Sequence, residues 1–476
     1  MFNKNFHKDK YISEAIDDYL KENLTSFHMP SHKNRNLFFP ENLLSIDFTE
    51  IYGFDNLSNP QNTIKKSLER IEKIYNTKKS YILVNGSTIG ILTSILSTLS
   101  EDDLVLIGRD SHKSVFSGIE LAKCDYKFIY KNKSQYNNYT DFDYENLENT
   151  IIKTLKLRKI KAMVVTSPTY EGIPCDIEKL SKITKKYNII LIVDEAHGAH
   201  FPHNKSLPFS AINKGADIVI QSLHKTMPAL TQTALLHICT NKVSVSNIEK
   251  YLYMLQTTSP SYIFIYTIDK LMENLDKLPF ENQKKSLKFF IKSFKELSKN
   301  DIMVLDYVDF EVSAHDYTRL VLFSKKINGE TLHNILLEKY KFNFEMFTEN
   351  YCIGITSSFD DFSCYDKLKN ALLEIEKDFA HLPNRILVKS LDEQNYEIIK
   401  YRDWDNYALN SLDNSAGEIA YEDIIPYPPG IPLICKGEQI TFEHINNIKK
   451  ILNNKIEVLN IYEKNNDEKP YIKTRK

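Results

Sequence analysis

The chain has 476 residues, of which 42% are hydrophobic and 26% charged, and 61 basic and 63 acidic residues give a net charge of −2. This composition is typical of a globular protein of two or three domains, and the charge argues against binding to nucleic acid or an anionic membrane. No apolar run reaches the length of a membrane span, and the polar N-terminus does not resemble a signal peptide. The six cysteines form no Cys-x-x-Cys pair and have no zinc-type spacing, so we expect reduced thiols, no metal site and a cytoplasmic protein.

The predicted elements fall into three regions. Residues 1–55 are predicted to be an N-terminal arm with one helix at 12–24. Residues 56–295 are predicted to form a large domain with strands at 81–84, 104–107, 126–130, 162–166, 189–193 and 218–220. Helices are predicted between them at 89–99, 114–122, 176–187 and 210–214, and helical patterns dominate after residue 247. Aliphatic strands that alternate with helices indicate an α/β fold with a mostly parallel sheet covered on both faces.

The third region, residues 296–476, is predicted to be a smaller α+β domain. Its strands are expected at 302–305, 319–323 and 351–355, and its helices at 331–339 and 365–379. A Pro-rich block follows at 426–432, then a helix at 442–453 and a charged tail that we expect to fray.

Two polar segments follow strands of the predicted parallel sheet. Lys225 comes after the strand at 218–220, and Asp194 and His197 come after the strand at 189–193. Because open α/β sheets bind ligands at the carboxyl ends of their strands, and one βαβ unit separates these residues, we expect Asp194 and Lys225 to share one crevice. Each residue alone also fits a simpler interpretation, a solvated lysine or a helix-capping aspartate.

Two further segments suit the same crevice. Ser87 and Thr88 lie between a strand and a helix, where hydroxyls and backbone N–H groups can hold a phosphate, although both residue types are also common caps. This segment is neither a Walker A loop nor G-x-G-x-x-G. His112 follows the strand at 104–107 and alone is as easily explained as a loop or capping histidine. A phosphate cradle, an acid, a flat histidine and a strand-end lysine are together what pyridoxal phosphate requires.

Motifs from residue 27 to residue 432 carry a family resemblance. They are FHMPSHK at 27–33, DFTEI at 47–51, DNLSNP at 55–60, NGST at 85–88, SHKS at 111–114, TSPTYEG at 166–172, VDEAHGAH at 193–200, QSLHKTMPALTQT at 221–233, LQTTSPS at 255–261 and PYPPGIP at 426–432. The chain resembles the short bacterial form of the Orn/Lys/Arg decarboxylase family, pyridoxal-phosphate enzymes of aspartate-aminotransferase (fold type I) architecture. The family usually has glycine where this chain has Ser31. The chain also departs from the family pattern at residues 55–58 and at Glu418.

The resemblance implies a role for each matching residue. Lys225 would bind pyridoxal 5'-phosphate covalently as an imine, Asp194 would pair with the pyridine nitrogen, and His112 would stack on the ring. His197 would face the 3-oxygen of the ring. Lys225 or His112 would return a proton to Cα after decarboxylation. The phosphate would be held by Ser87, Thr88, Ser222 and His224.

The implied reaction is decarboxylation of a basic L-amino acid, with arginine to agmatine favoured, as in polyamine biosynthesis, and with lysine or ornithine as alternatives. The distal cation needs an acid, and Glu422 and Glu438 beside the Pro-rich block are candidates, although either is also explained as a surface glutamate. Fold type I sites are built across a subunit interface, so the resemblance implies at least a homodimer.

Three other hypotheses stay open at this stage. The first is an aminotransferase or aldolase-like lyase of the same fold. The second is a non-catalytic relative, against which the presence of Lys225 and Asp194 argues. The third is a nucleotide-binding protein, against which the missing Walker lysine argues.

Overall fold

The computed structural model describes residues 19–33, 35, 40, 42–388, 397–404, 406–427, 429–453, 456–464 and 467–476. Most of the helix predicted at 12–24 lies outside these residues. The strands are β1 Thr25–Phe27, β2 Lys79–Leu83, β3 Leu104–Gly108, β4 Asp125–Ile129, β5 Ile160–Thr166, β6 Ile190–Asp194, β7 Ile218–Ser222, β8 Ala234–Ile238, β9 Ile302–Leu305, β10 Arg319–Ser324, β11 Phe342–Phe344, β12 Met346–Phe347, β13 Tyr351–Ile355, β14 Tyr407–Ser411, β15 Ile425–Tyr427, β16 Glu457–Leu459, β17 Tyr462–Lys464 and β18 Asp467–Arg475. The α-helices are α1 Thr63–Tyr75, α2 Gly86–Thr98, α3 Lys113–Ala122, α4 Tyr144–Leu155, α5 Ile177–Lys186, α6 Leu223–Thr226, α7 Val245–Leu255, α8 Tyr262–Glu273, α9 Phe280–Leu297, α10 Gly329–Glu338, α11 Phe362–Phe379 and α12 Phe442–Asn453.

The largest of the described sheets has seven strands in the order β2-β8-β7-β6-β5-β3-β4. The strands β4, β3, β5, β6 and β7 run parallel, and β8 is antiparallel to both of its neighbours. The predicted mostly parallel sheet is therefore confirmed. The strand β8 was not predicted; it is short and apolar, and it begins directly after the loop beyond Lys225.

Both faces of this sheet are buried, as its aliphatic strands predict. In β3, Leu104 and Leu106 pack into one cluster of buried side chains while Val105 and Ile107 pack into another. Helices α1, α4, α5 and α8 contribute to the first cluster, and α2, α3 and α7 to the second. Helix α5 begins where the sequence predicted, since the Asp176 carboxylate accepts a hydrogen bond from the Lys179 N–H.

A smaller antiparallel sheet follows, in the order β12-β13-β10-β9. Helices α9, α10 and α11 bury Phe290, Leu332 and Leu368 against it. Near the N-terminus, β1 pairs in parallel with β11. A stretch of the predicted N-terminal arm therefore packs on the third region, residues 296–476. No described helix is long and apolar enough to cross a membrane. The domain boundaries at 55/56 and 295/296 stay a prediction.

The described residues of the C-terminal tail form strands, which corrects the expectation that it frays. Strand β18 pairs with both β14 and β17. Its Ile472 and Thr474 are fully buried and alternate with Lys473 and Arg475. The tail thus has the two-residue period of a half-buried strand, which its high charge obscured.

The Pro-rich block is fixed to the large sheet by Arg109, which follows β3. Its guanidinium donates to the carbonyl oxygens of Pro432 at 2.7 Å and Leu433 at 2.8 Å, and lies 3.8 Å from the Glu438 carboxylate. We expect Arg109→Leu to lower the free energy of unfolding by about 3–5 kcal/mol, because the variant leaves a nearly buried carboxylate without its cation. Urea denaturation measures this loss, and a variant as stable as the wild type would contradict it.

Candidate active site

Asp194 and Lys225 meet at the carboxyl edge of the large sheet. Asp194 is the last residue of β6, and Lys225 lies in the short helix α6 that directly follows the neighbouring strand β7. Burial raises the pKa of the Asp194 carboxyl, and the nearby Lys225 acts in the opposite direction. Burial lowers the pKa of Lys225, and Asp194 and Glu345 oppose that effect. The buried Asp194 carboxyl and the half-buried Lys225 amine therefore interact in one crevice.

His197 lies directly beside this lysine. Its Nε2 is 3.0 Å from Lys225 Nζ, and its ring packs at 4.5 Å between centroids against Tyr170. Burial, followed by the charges of Lys225 and Arg319, holds the pKa of His197 well below its usual value. The imidazole is therefore neutral across the physiological pH range.

His112 begins helix α3 and points one ring nitrogen at that helix. Its Nδ1 accepts a hydrogen bond from the backbone N–H of Ser114 at 3.2 Å, which leaves Nε2 as the protonated nitrogen of a neutral ring. Burial, with the nearby Lys225 and Lys113, lowers the pKa of His112 to about 4. Gly430 of the Pro-rich block lies so close that a Cβ there would be 3.0 Å from the His112 ring. His112 is thus both a helix cap and a neutral side chain near Lys225.

Four residues were predicted to hold a phosphate. Ser87 and Thr88 lie in the first turn of α2, where the preceding Asn85 makes no side-chain cap. The Ser222 hydroxyl is buried and has no hydrogen-bond partner among the described residues. Nδ1 of His224 lies 3.3 Å from the Thr233 carbonyl oxygen, and burial lowers the pKa of His224 to about 4.

This donor set fits pyridoxal phosphate. A buried hydroxyl without a partner is costly unless a ligand completes its bonding, and the first turn of a helix offers N–H groups to an anion. Ser87, Thr88, Ser222 and His224 would hold the phosphate, while Asp194 and Lys225 would face the ring.

Two charged residues of the third region, neither of which was predicted from the sequence, also reach this site. Arg319, the first residue of β10, is 1% exposed, and its guanidinium contacts His197. Glu345 accepts hydrogen bonds from the Tyr170 hydroxyl at 2.8 Å and the Met29 N–H at 2.8 Å, and its charge acts on Lys225. The local sequence around Arg319 and Glu345 gives no signal of these contacts, because each contact joins segments more than 100 positions apart.

The two candidate substrate carboxylates are already paired. Glu438 accepts the Cys435 N–H at 2.7 Å and faces Arg109, and Glu422 accepts the Tyr462 hydroxyl at 2.7 Å and lies 3.3 Å from Lys473. The structure brings neither into hydrogen-bond contact with the described residues around Lys225. Their substrate-binding role stays a prediction.

The unusual Ser31 is accommodated next to the site. It is buried, its backbone N–H donates to the His224 carbonyl oxygen at 3.0 Å, and its hydroxyl donates to the Ser357 hydroxyl at 3.2 Å. The hydroxyl therefore has a polar partner within the fold, which makes serine tolerable at this position.

Comparison with known proteins identifies the family. The profile described as "Orn/Lys/Arg decarboxylase, major domain" matches residues 12–369, and that described as "Orn/Lys/Arg decarboxylase, C-terminal domain" matches residues 399–459. A Bacillus subtilis protein named "Uncharacterized protein YaaO" is 30% identical, covering 94% of this chain and 95% of that protein. An arginine decarboxylase of Bacillus subtilis is 28% identical, covering 90% of each chain.

Solved structures show the same fold. The lysine decarboxylase of Francisella novicida superimposes with a TM-score of 0.76 at 16% identity, covering 98% of this chain and 83% of that one. A structure of a variant described as "SPT with PLP" superimposes with a TM-score of 0.56 at 11% identity, covering 75% of this chain and 88% of that one. The predicted fold type I architecture is confirmed. The chain belongs to the Orn/Lys/Arg decarboxylase family of pyridoxal-phosphate-dependent amino-acid decarboxylases.

Proposed function

We propose that the protein decarboxylates a basic L-amino acid, with arginine, giving agmatine, as the preferred substrate. The observation that carries this proposal is the buried cluster in which Lys225 Nζ lies 3.0 Å from His197 Nε2 and faces Asp194. A half-buried amine near an acid and a neutral histidine at the end of parallel strands suits covalent attachment of an aldehyde cofactor.

Each side chain has a proposed task. Pyridoxal phosphate, when bound, takes up the electron pair that departing carbon dioxide leaves on Cα. Lys225 anchors the cofactor, and Asp194 keeps its ring nitrogen protonated because a nearby carboxylate favours the charged form of a base. His112 covers one face of the ring. Lys225 Nζ, as the ammonium form, then supplies the proton that Cα requires. His112, the other candidate from the sequence, is the poorer donor because its imidazole is neutral at a pKa of about 4.

The preference for arginine is supported by relatives. Proteins named arginine decarboxylase in Bacillus subtilis and Bacillus anthracis match at 28% and 25% identity over about 90% of this chain. Lysine and ornithine are the alternative substrates, since they differ from arginine mainly in the distal cation. We further propose a homodimer, consistent with the exposed apolar side chains of Leu44, Ile51 and Tyr52 near the N-terminus.

A product assay tests the proposal. The purified protein is loaded with pyridoxal phosphate and supplied separately with arginine, lysine and ornithine, and the amine products are identified by mass spectrometry. We expect agmatine from arginine at a kcat/KM at least tenfold above the values for cadaverine and putrescine formation. If cadaverine or putrescine is the dominant product, the preferred substrate is lysine or ornithine and not arginine.

A second incubation distinguishes decarboxylation from transamination, whichever amino acid is the substrate. Incubation with 2-oxoglutarate and each amino acid detects transamination by the appearance of glutamate. Glutamate without any amine product would contradict the proposed decarboxylation and favour an aminotransferase.

A further inference from the structure

Arg319 is a buried cation of the site with no task in the proposed function. Its Nη2 donates a hydrogen bond to the His197 carbonyl oxygen at 3.1 Å and lies 3.4 Å from Nδ1 of the same residue. Its Nε and Nη1 have no hydrogen-bond partner among the described residues. The guanidinium therefore contacts both the backbone and the imidazole ring of His197.

The guanidinium is held firmly in this position. Arg319 Nε lies 3.8 Å from Oδ2 of Asp316, and Nε2 of His200 lies 3.0 Å from the same oxygen. Gly172 packs against the aliphatic part of Arg319, so closely that a Cβ there would be 2.6 Å from Arg319 Cγ. Neighbours on two sides thus limit where the arginine can move.

This contact has a consequence for the protons of the His197 ring. A guanidinium only donates hydrogen bonds, so the ring nitrogen that faces it must be the acceptor. In a neutral imidazole with Nδ1 as the acceptor, the proton is on Nε2. Nε2 is the nitrogen 3.0 Å from Lys225 Nζ, so this hydrogen bond runs from His197 to the amine. A lysine nitrogen accepts a hydrogen bond only as the free base.

We propose that Arg319 is a positioning residue that holds His197 in the Nε2–H tautomer, so that this N–H favours the neutral, nucleophilic form of Lys225. The inference deepens the proposed function and rests on the proposed anchoring role of Lys225. Of the charged and titratable groups around His197, Arg319 and Lys225 contact its two ring nitrogens, Tyr170 packs on its face, and His112 and His224 lie further away. Asp194 and Glu345 face Lys225 itself.

The test measures the protonation of Lys225 in the full-length chain without cofactor. The protein is labelled with a trace of acetic anhydride over a range of pH, and the label on the Lys225 peptide is quantified by mass spectrometry. In Arg319→Gln we expect the midpoint of this profile to rise by about one pH unit, because the variant loses a nearby cation and the fixed N–H donor. Arg319→Lys keeps a cationic donor, so the midpoint of its Lys225 labelling profile should stay within a few tenths of a pH unit of the wild-type midpoint.

Two further comparisons separate this role from a structural one. Arg385→Gln is the matched control, since Arg385 also donates to backbone carbonyl oxygens, those of Ser324 and Asn350, but does not contact His197. Its Lys225 profile should equal that of the wild type. His197→Gln places an amide N–H near the position of Nε2, so its Lys225 labelling profile should match that of the wild type. The side chain of His197→Asn is shorter, so its profile should match that of Arg319→Gln.

The outcomes decide the proposal. It is overturned if Arg319→Gln leaves the profile unchanged or moves it no further than Arg385→Gln does. If Arg319→Gln does not fold, as judged by its circular dichroism, equal profiles for His197→Gln and His197→Asn overturn the proposal. The labelling needs neither substrate nor cofactor, so a failure of the proposed decarboxylation would not change its result.

Discussion

Replacing Lys225 with alanine is expected to abolish release of the amine product while leaving the fold intact. The variant removes the only part of the side chain that reaches His197 and faces Asp194, and an amine is required to anchor the cofactor covalently. We expect a decrease in kcat of at least ~10³-fold, since a covalent anchor and a proton carrier are lost together. Quantification of agmatine by mass spectrometry measures this effect.

The control for this variant is Lys214→Ala. Lys214 is a partly exposed lysine that lies 3.3 Å from Glu178, and it should be dispensable for turnover. The Lys225→Ala protein should keep the wild-type circular dichroism spectrum. Turnover within tenfold of the wild type would rule out Lys225 as the anchor.

Replacing Asp194 with asparagine is expected to lower kcat by roughly 10²- to 10³-fold. The carboxylate is buried near Lys225, and in the proposed function it keeps the ring nitrogen of the cofactor protonated, so its loss removes about 3–4 kcal/mol of electrostatic stabilisation from the reaction. The asparagine is nearly the same size, so packing is preserved and the loss reports the missing charge. Steady-state kinetics at saturating substrate measure it.

Asp217→Asn is the matched control for this substitution. Asp217 is also buried at the large sheet, where it accepts the Leu191 N–H at 2.9 Å. It directly precedes β7 and so lies at the edge of the sheet opposite to Asp194, which ends the parallel strand β6. Its loss should reduce stability without reducing kcat. If both variants lose kcat equally, the effect of Asp194→Asn is structural.

The large sheet and part of its site were predictable because they depend on local pattern. Parallel strands that are aliphatic on both faces can be recognised individually, and their carboxyl ends must meet at one edge. Asp194 and Lys225 follow two adjacent strands, so their proximity was predicted from chain order alone. The same logic placed His112 after β3.

Other features depend on packing between distant segments. Arg319 begins an ordinary apolar strand, and nothing in the local sequence indicates that its guanidinium contacts His197, 122 positions earlier. Glu345 likewise reaches the site only because the smaller sheet packs there. The β18 strand was missed for a different reason, since Lys473 and Arg475 concealed the buried Ile472 and Thr474.

The central claim is that Lys225 holds pyridoxal phosphate in the crevice it shares with Asp194 and His197. The most direct measurement is to treat the cofactor-loaded protein with borohydride, digest it and map the modified peptide by mass spectrometry. The account predicts a phosphopyridoxyl group on Lys225 alone, and none in Lys225→Ala. A modified peptide from any other lysine, or no modified peptide from a protein that has bound the cofactor, would contradict it.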